Sequence, residues 1–401
     1  MSAPATTTAA AIATVEQPDT RRSATWRDPK RYFWLLGLVV PTLPFLAWGL
    51  VALTGLGVFW FYGPVLVFGI FPLLDLAVGL DARNPPEEVI KALEQDRYYR
   101  WCTYAYIPVQ YGGLIFACWE WSHGGLSVIE SIGLALTVAM VSGIAINTAH
   151  ELGHKRASLE RWLSKVALAQ SGYGHFFIEH NRGHHVRVAT PEDPASSRLG
   201  ESFYRFWRRT VAGSLRSAWE LERVRLGRLE SSMWTPRNDI LSAWAMTVVL
   251  FGTLVAVFGL VVLPYLLIQA VLGFSLLEVV NYLEHYGLLR QRREDGRYER
   301  TQPEHSWNSN NTASNVLLYH LQRHSDHHAN PVRRYQALRH VEQAPQLPTG
   351  YAGMIVMAVI PPLWRRIMDH RVLEHYEGDL DRANLQPRIS ARRRRQLRAS
   401  A

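Results

Sequence analysis

Apolar runs of about twenty residues recur along this chain, each long enough to cross the hydrocarbon core of a bilayer as a helix. They cover residues 32–53, 58–80, 101–119, 126–149, 240–261 and 264–283. A chain of 401 residues could otherwise hold two or three soluble domains, but these runs predict a single integral-membrane unit over residues 31–380. The near-neutral mean hydropathy is an average over greasy runs and very polar segments. Pro41 and Pro44 fall inside the first run, where a membrane helix accommodates them as a kink. Residues 54–57 form a tight turn that folds the first two runs into a hairpin. The expected fold is all-α, a six-helix transmembrane bundle with a helical cap over residues 150–238 and 284–380.

A net charge of +9 invites a nucleic-acid reading, yet the charges are confined to particular segments. The turns after the first, third and fifth runs contain no Lys or Arg. The N-terminal segment, the link after the second run, the loop after the fourth and the C-terminal region carry nearly all of them. This asymmetry places those four segments and both termini in the cytoplasm, so no nucleic-acid partner is expected.

Asn84-Pro85-Pro86-Glu87-Glu88 predicts a capped surface helix. Leu215, Trp219, Leu226 and Leu229 recur at helical spacing among Arg and Glu, which fits a helix at the membrane surface or one packed on a core. Residues 351–364 are apolar but too short to span, and are expected at the interface or against the bundle. Residues 1–30 read as a disordered tail and residues 381–401 as a basic one, whose Arg392–Arg395 run suits solvent or anionic lipid. Cys102 and Cys118 are the only cysteines, so no disulfide framework or iron–sulfur site is encoded.

The polar segments are dense in histidine. His150-Glu151-Leu152-Gly153-His154, His180-Asn181-Arg182-Gly183-His184-His185 and His324-Ser325-Asp326-His327-His328 are three clusters, two ending in His-His. Neutral imidazole is the commonest protein metal ligand. The eight rings exceed what one ion can use, which points to two. Imidazole suits iron, zinc and copper alike. His285, in Asn281-Tyr282-Leu283-Glu284-His285-Tyr286-Gly287 at the end of the sixth run, reads as a ninth ligand. His320 lies one helical turn before His324 and reads as a partner that orients a ligand. Glu278 sits inside the sixth run on the face of His285, where an acid is costly unless it faces the bundle interior. Glu284, Asp326 and Asn147 are candidate supports for the ligating rings. All three clusters fall on the cytoplasmic side, near helix ends.

These motifs resemble those of the bacterial membrane alkane 1-monooxygenases, within the histidine-box membrane di-iron oxygenases and desaturases. Residues 150–155, 179–185, 281–287 and 321–328 carry the resemblance, which extends over residues 30–380; the motif at 281–287 separates alkane hydroxylases from desaturases. The resemblance implies two histidine-ligated iron ions in a bacterial inner-membrane enzyme. It implies O2-dependent hydroxylation of the terminal methyl of medium-chain n-alkanes, with electrons from rubredoxin and a separate rubredoxin reductase. It also implies a bulky residue of the second run that limits alkane length, for which Trp60 is the candidate. An acidic carrier would dock on basic residues around the motifs, with Lys155, Arg156, Arg323, Arg333 and Arg334 the expected contacts. Competing readings are a fatty-acyl desaturase or hydroxylase of the same metal type, a histidine-rich metal transporter and a membrane zinc hydrolase. A transporter places ligands along the membrane interior, and a zinc hydrolase usually keeps three protein ligands.

Overall fold

The structure is a computed structural model describing residues 26–387 and residue 397. Among the described residues it is helical, with isolated bridges such as Leu80 to Asn311 and no β-strand. The helices that position the site are α1 (Phe33–Thr54), α2 (Gly57–Val78), α3 (Glu87–Gln95), α4 (Tyr106–His123), α5 (Val128–Gly153), α6 (Ser158–Ala169), α7 (Phe203–Arg228), α8 (Asp239–Phe258), α9 (Leu260–Glu284), α10 (His324–Ala329), α11 (Tyr351–Ala358) and α12 (Pro361–His375).

Five of these, α1, α2, α5, α8 and α9, are long and apolar enough to cross a membrane. The third expected run became two pieces, a short helix Arg97–Tyr104 and α4. Gln110 and Glu120 dilute the apolarity of α4, so composition alone does not place it with the other five. The α1–α2 hairpin forms as expected. Gly55 closes α1 at φ 72°, a left-handed conformation that glycine adopts without a Cβ clash.

The hub of the bundle is α5. It starts on a capping box, with the Ser127 hydroxyl accepting from Glu130 N–H and the Glu130 carboxylate accepting from Ser127 N–H. Its most apolar window is 72 % buried, against 17 % for α8. Val248, Val249 and Val257 of α8 point outward, as expected of side chains facing lipid. Helix α9 crosses α5 where two glycines meet. A Cβ on Gly143 would lie 2.7 Å from Leu276, and one on Gly273 would lie 2.6 Å from the Ser142 hydroxyl. Small residues here let the two helices that carry His150 and His285 approach closely.

The segments between and beyond the spans pack against the ends of α5 and α9 that carry His150 and His285. Phe203, Phe206, Thr210, Ser214, Ala218, Glu222 and Leu226 form the buried face of α7, so this helix packs on protein, while Leu215 and Leu229 lie on its exposed side. The apolar segment at 351–364 divides into α11 and the start of α12, with Trp364 buried against Tyr282 and Tyr286. Two local expectations were wrong. Asn84 does not cap α3; its side chain pairs with the backbone of His340, and Pro86 holds the cap position. Residues 26–30, expected in a loose tail, are tied down, since Asp28 accepts from Trp34 Nε1 and Lys30 pairs with Asp81 at 3.2 Å. The run Arg392–Arg395 lies outside the described residues.

Candidate metal centre

Four chain segments bring nine imidazoles together. Helix α5 delivers His150 in its last turn and His154 at its C-cap. Residues Glu179–His184 wind as a π-turn, so residues five apart stack, and His180 Nε2 lies 3.1 Å from His185 Nε2. The end of α9 delivers His285. Helix α10 presents His324 and His328 one turn apart, with their Nε2 atoms 2.9 Å from each other.

The rings form two groups that could each hold a metal ion. One is His150, His154, His180, His185 and His327; the other is His184, His285, His324 and His328. Within each group the ligand atoms lie within 4.8 Å of one another. Both His-His pairs are split between the groups. His185 joins His327 (3.1 Å) and His327 joins His150 (2.8 Å), whereas His324 joins His285 (3.3 Å).

The arrangement suits bound metal ions. His184 Nδ1 faces the Asp193 carboxylate at 2.9 Å, and His285 Nδ1 faces the His305 carbonyl at 3.4 Å. Each contact places the ring proton on Nδ1 and leaves a bare lone pair on Nε2. The Nε2 atoms of His154 and His184 are buried without any hydrogen-bond partner. Burial, followed by the neighbouring imidazoles, holds the ring pKa of His154 well below its ordinary value; burial and His184 lower that of His285 to about 3. These two rings are therefore neutral donors. Buried ring nitrogens with no hydrogen-bond partner are unfavourable, and a bound metal would satisfy them.

Around this centre several expected supports act differently. Glu284 is adjacent to the site, its carboxylate 3.2 Å from His324 Nε2. Glu278 is buried in the bundle, but accepts from the Tyr173 hydroxyl (2.7 Å) and the Asn281 amide (3.3 Å). Asp326 is held by Arg333 at 2.7 and 2.8 Å and braces the loop after α10. The Asn147 amide donates to the Leu318 carbonyl. His320 does not orient a ligand. Residues Tyr319 and His320 have φ of 51° and 54°, so the helix starts only at His324, and the His320 ring lies between Lys30 Nζ and the Tyr335 carbonyl, each at 2.9 Å. The carboxylate that does hold a clustered histidine, Asp193 against His184, was missed. Its only sequence signal is the turn Thr190-Pro191-Glu192-Asp193-Pro194 just after the second cluster.

Two expected docking residues are buried. Arg323 is 1 % exposed and donates to the carbonyls of Leu338, Asp81 and Arg83. Lys155 is buried against Glu151 at 3.0 Å. Arg333 and Arg334 are committed to Asp326 and Glu160. Arg156 is exposed.

An apolar cavity between α2, α5, α9 and α11 ends on the centre. Val67, Phe71, Ile144, Leu276, Val280 and Ile355 line it, and His150, His180, His324 and Glu284 close it at one end. Trp60 is not in this wall. It is buried in a separate cluster with Ala47, Leu134, Val138 and Leu266, seven residues before Val67 on α2.

Residues 129–358 match the fatty acid desaturase family. The chain is 49% identical over 371 residues to an alkane 1-monooxygenase of Acinetobacter baylyi, covering 91% of this chain and 90% of the relative. It is likewise 49% identical to an alkane 1-monooxygenase of Pseudomonas putida, over 91% of this chain and 90% of the relative. A more distant similarity, 29% identity over 63% of this chain and 68% of the relative, links it to the hydroxylase component of a xylene/toluene monooxygenase of Pseudomonas putida.

Proposed function

The chain belongs to the alkane 1-monooxygenase family, within the fatty acid desaturase superfamily, and from that premise we propose that it hydroxylates the terminal methyl of medium-chain n-alkanes. One atom of O2 enters the C–H bond and the other leaves as water, with two electrons from reduced rubredoxin and two protons from solvent. In this reading the protein is a multi-pass enzyme of the bacterial inner membrane, α4 is the sixth span and both termini are cytoplasmic. The basic segments on one side of the spans support that orientation.

The observation that carries the proposal is the cavity. Its lining is mostly hydrocarbon, and its polar members are Asn147, Asn281, Tyr351, Glu284 and three clustered histidines. An alkane has no polar handle, so it is held by apolar contact alone. The cavity walls position the chain, and its closed end presents one methyl to rings from both histidine groups. A fatty-acyl substrate would need a polar anchor for its carboxyl or carrier, for which the apolar wall offers no partner.

Two iron ions held by His150, His154, His180, His185 and His327 and by His184, His285, His324 and His328 would supply the binding and reductive activation of O2. The protein's own contribution is positional. Asp193 holds His184 in one tautomer, and the His305 carbonyl does the same for His285. Burial keeps His154 and His285 neutral, and the hydrocarbon wall excludes bulk water from the reacting end.

Purified protein should contain iron and convert octane to 1-octanol when supplied with NADH, rubredoxin reductase and rubredoxin. Stoichiometric zinc with no alcohol would sink the reading.

A further inference from the structure

We propose that a chain of tyrosine and tryptophan rings carries oxidising equivalents away from the histidine centre when oxygen is activated with no alkane in place. The inference rests on the monooxygenase reading above. The chain begins at Tyr319, which shares a small void with His150 and His327. Its ring is 5.0 Å from that of Tyr335, which is 5.1 Å from Trp34 and 6.2 Å from Tyr99. Tyr99 is 5.4 Å from Tyr98, and Tyr98 is 6.4 Å from Tyr32, which is 77 % exposed. The rings therefore run without a break from the metal-binding end to the surface.

Asp28 gives this chain a chemical terminus. A phenol or indole that loses an electron becomes strongly acidic and is stabilised as a neutral radical if a base takes its proton. The Tyr99 hydroxyl donates to Asp28 Oδ2 at 3.0 Å, and Trp34 Nε1 donates to the same oxygen at 2.9 Å. The Arg31 guanidinium lies 4.3 Å from the Tyr98 ring and 5.3 Å from the Tyr99 ring, and its charge disfavours a positive hole on either; of the two, Tyr99 has the Asp28 carboxylate to take its proton, whereas the Tyr98 hydroxyl donates to the Arg31 carbonyl. The hole rests on Tyr99 or Trp34. In balance, one electron passes from the ring through Tyr335 and Tyr319 to the oxidised centre, and one proton passes from the ring to Asp28. A small reductant such as ascorbate or a thiol returns the electron, and Asp28 returns the proton. Asp28 lines a polar cavity of ≈ 320 Å³ together with Lys30 and His320, and the His320 ring is 4.7 Å from Trp34, which is the point of access. Phenol and indole yield electrons only to strong oxidants, so the same rings cannot serve as stepping stones for the low-potential electrons that start the reaction.

The test treats iron-loaded full-length protein with hydrogen peroxide, without alkane, and freezes it for electron paramagnetic resonance. Wild type should give an organic radical that narrows on incorporation of ring-deuterated tyrosine or ring-deuterated tryptophan and decays faster with ascorbate. Tyr335→Phe keeps the ring packing but cannot be oxidised. It should lower the radical yield several-fold and raise peroxide-driven oxidation of the His150 and His327 peptides by mass spectrometry, with octane hydroxylation unchanged when alkane is present. Asp28→Asn should also lower the yield. An unchanged radical and oxidation pattern in Tyr335→Phe would overturn the proposal, as would wild-type protein that makes 1-octanol but no such radical. A protein that shows the Tyr335-dependent radical but hydroxylates no alkane would support the relay and sink the functional reading instead.

Discussion

His184 and Asp193 form a buried pair, Nδ1 to Oδ2 at 2.9 Å, and it is the one contact between a carboxylate and the distal nitrogen of a clustered histidine among those the structure shows. Burial alone would raise the Asp193 carboxyl, but His184 and the Ser196 hydroxyl hold it at about 2. The aspartate is therefore charged and fixes the tautomer of His184, leaving Nε2 free to bind.

Replacing Asp193 with Asn should weaken metal binding at the His184, His285, His324 and His328 group by roughly 10–100-fold, the usual cost of losing such a partner. Iron titration of the purified variant should show one weakened site beside one of normal affinity. Direct loss of a ring, in His184→Ala or His324→Ala, should abolish that site outright, whereas His370→Ala should titrate like wild type. Two equal, unperturbed sites in Asp193→Asn would dissociate the carboxylate from metal binding.

Alkane length should respond to the far end of α2. Trp60 lies seven residues before Val67 on α2 and outside the cavity wall. Trp60→Ser should extend the cavity and shift products toward longer alcohols, at a stability cost of about 3–5 kcal/mol from the void it leaves. Val67→Trp should block the cavity and favour shorter ones. Product ratios from an alkane mixture read both effects. An unaltered ratio in Trp60→Ser would mean that the cavity ends at Val67.

Docking of an acidic electron carrier should depend on exposed charge and not on the paired arginines. Arg156→Glu should raise the apparent KM for rubredoxin, and added salt should do the same in wild type, because exposed charges are screened beyond about 8 Å at physiological ionic strength. Arg333→Glu should act differently. It places an acid against Asp326 (now 2.7 Å from Arg333), disturbs the loop after α10 and lowers stability even without rubredoxin. Salt-insensitive kinetics with a silent Arg156→Glu would move the docking face elsewhere.

Lys30 should make stability rise on the alkaline side. Burial first, and the Arg323 charge second, lower its pKa from 10.5 to about 8, with Asp81 offsetting part of the shift. Between those values the unfolded chain binds more protons than the folded one, so stability increases as pH rises through this window. Below the window the lysine is charged in both states and its burial cost is fully present. Thermal melts from pH 7.5 to 10.5 should show this rise, and Lys30→Met should flatten it. The same slope in both proteins would assign the effect to another group.

The helical class, the hairpin of α1 and α2, and the nine clustered histidines were all legible in the sequence, because hydropathy and residue spacing are local properties. Apolar length specifies a helix in lipid, and repeated H-x3-H spacing puts rings on one side of a turn. The partition of those rings was not legible. His184 and His185 are adjacent, yet a π-turn aims them into different groups, and nothing in an α-helical spacing rule anticipates a five-residue stack. His327 and His328 separate in the same way, because α10 meets α5 on one side and the end of α9 on the other. Charge was the other blind spot. Arg323 and Lys155 read as surface residues, since burying a cation is costly, and only the fold supplies the carbonyls and the Glu151 carboxylate that repay it. Asp193 illustrates the same limit from the opposite side. Its role depends on the turn after the second cluster folding back onto His184, nine residues earlier, a contact that composition and periodicity do not encode.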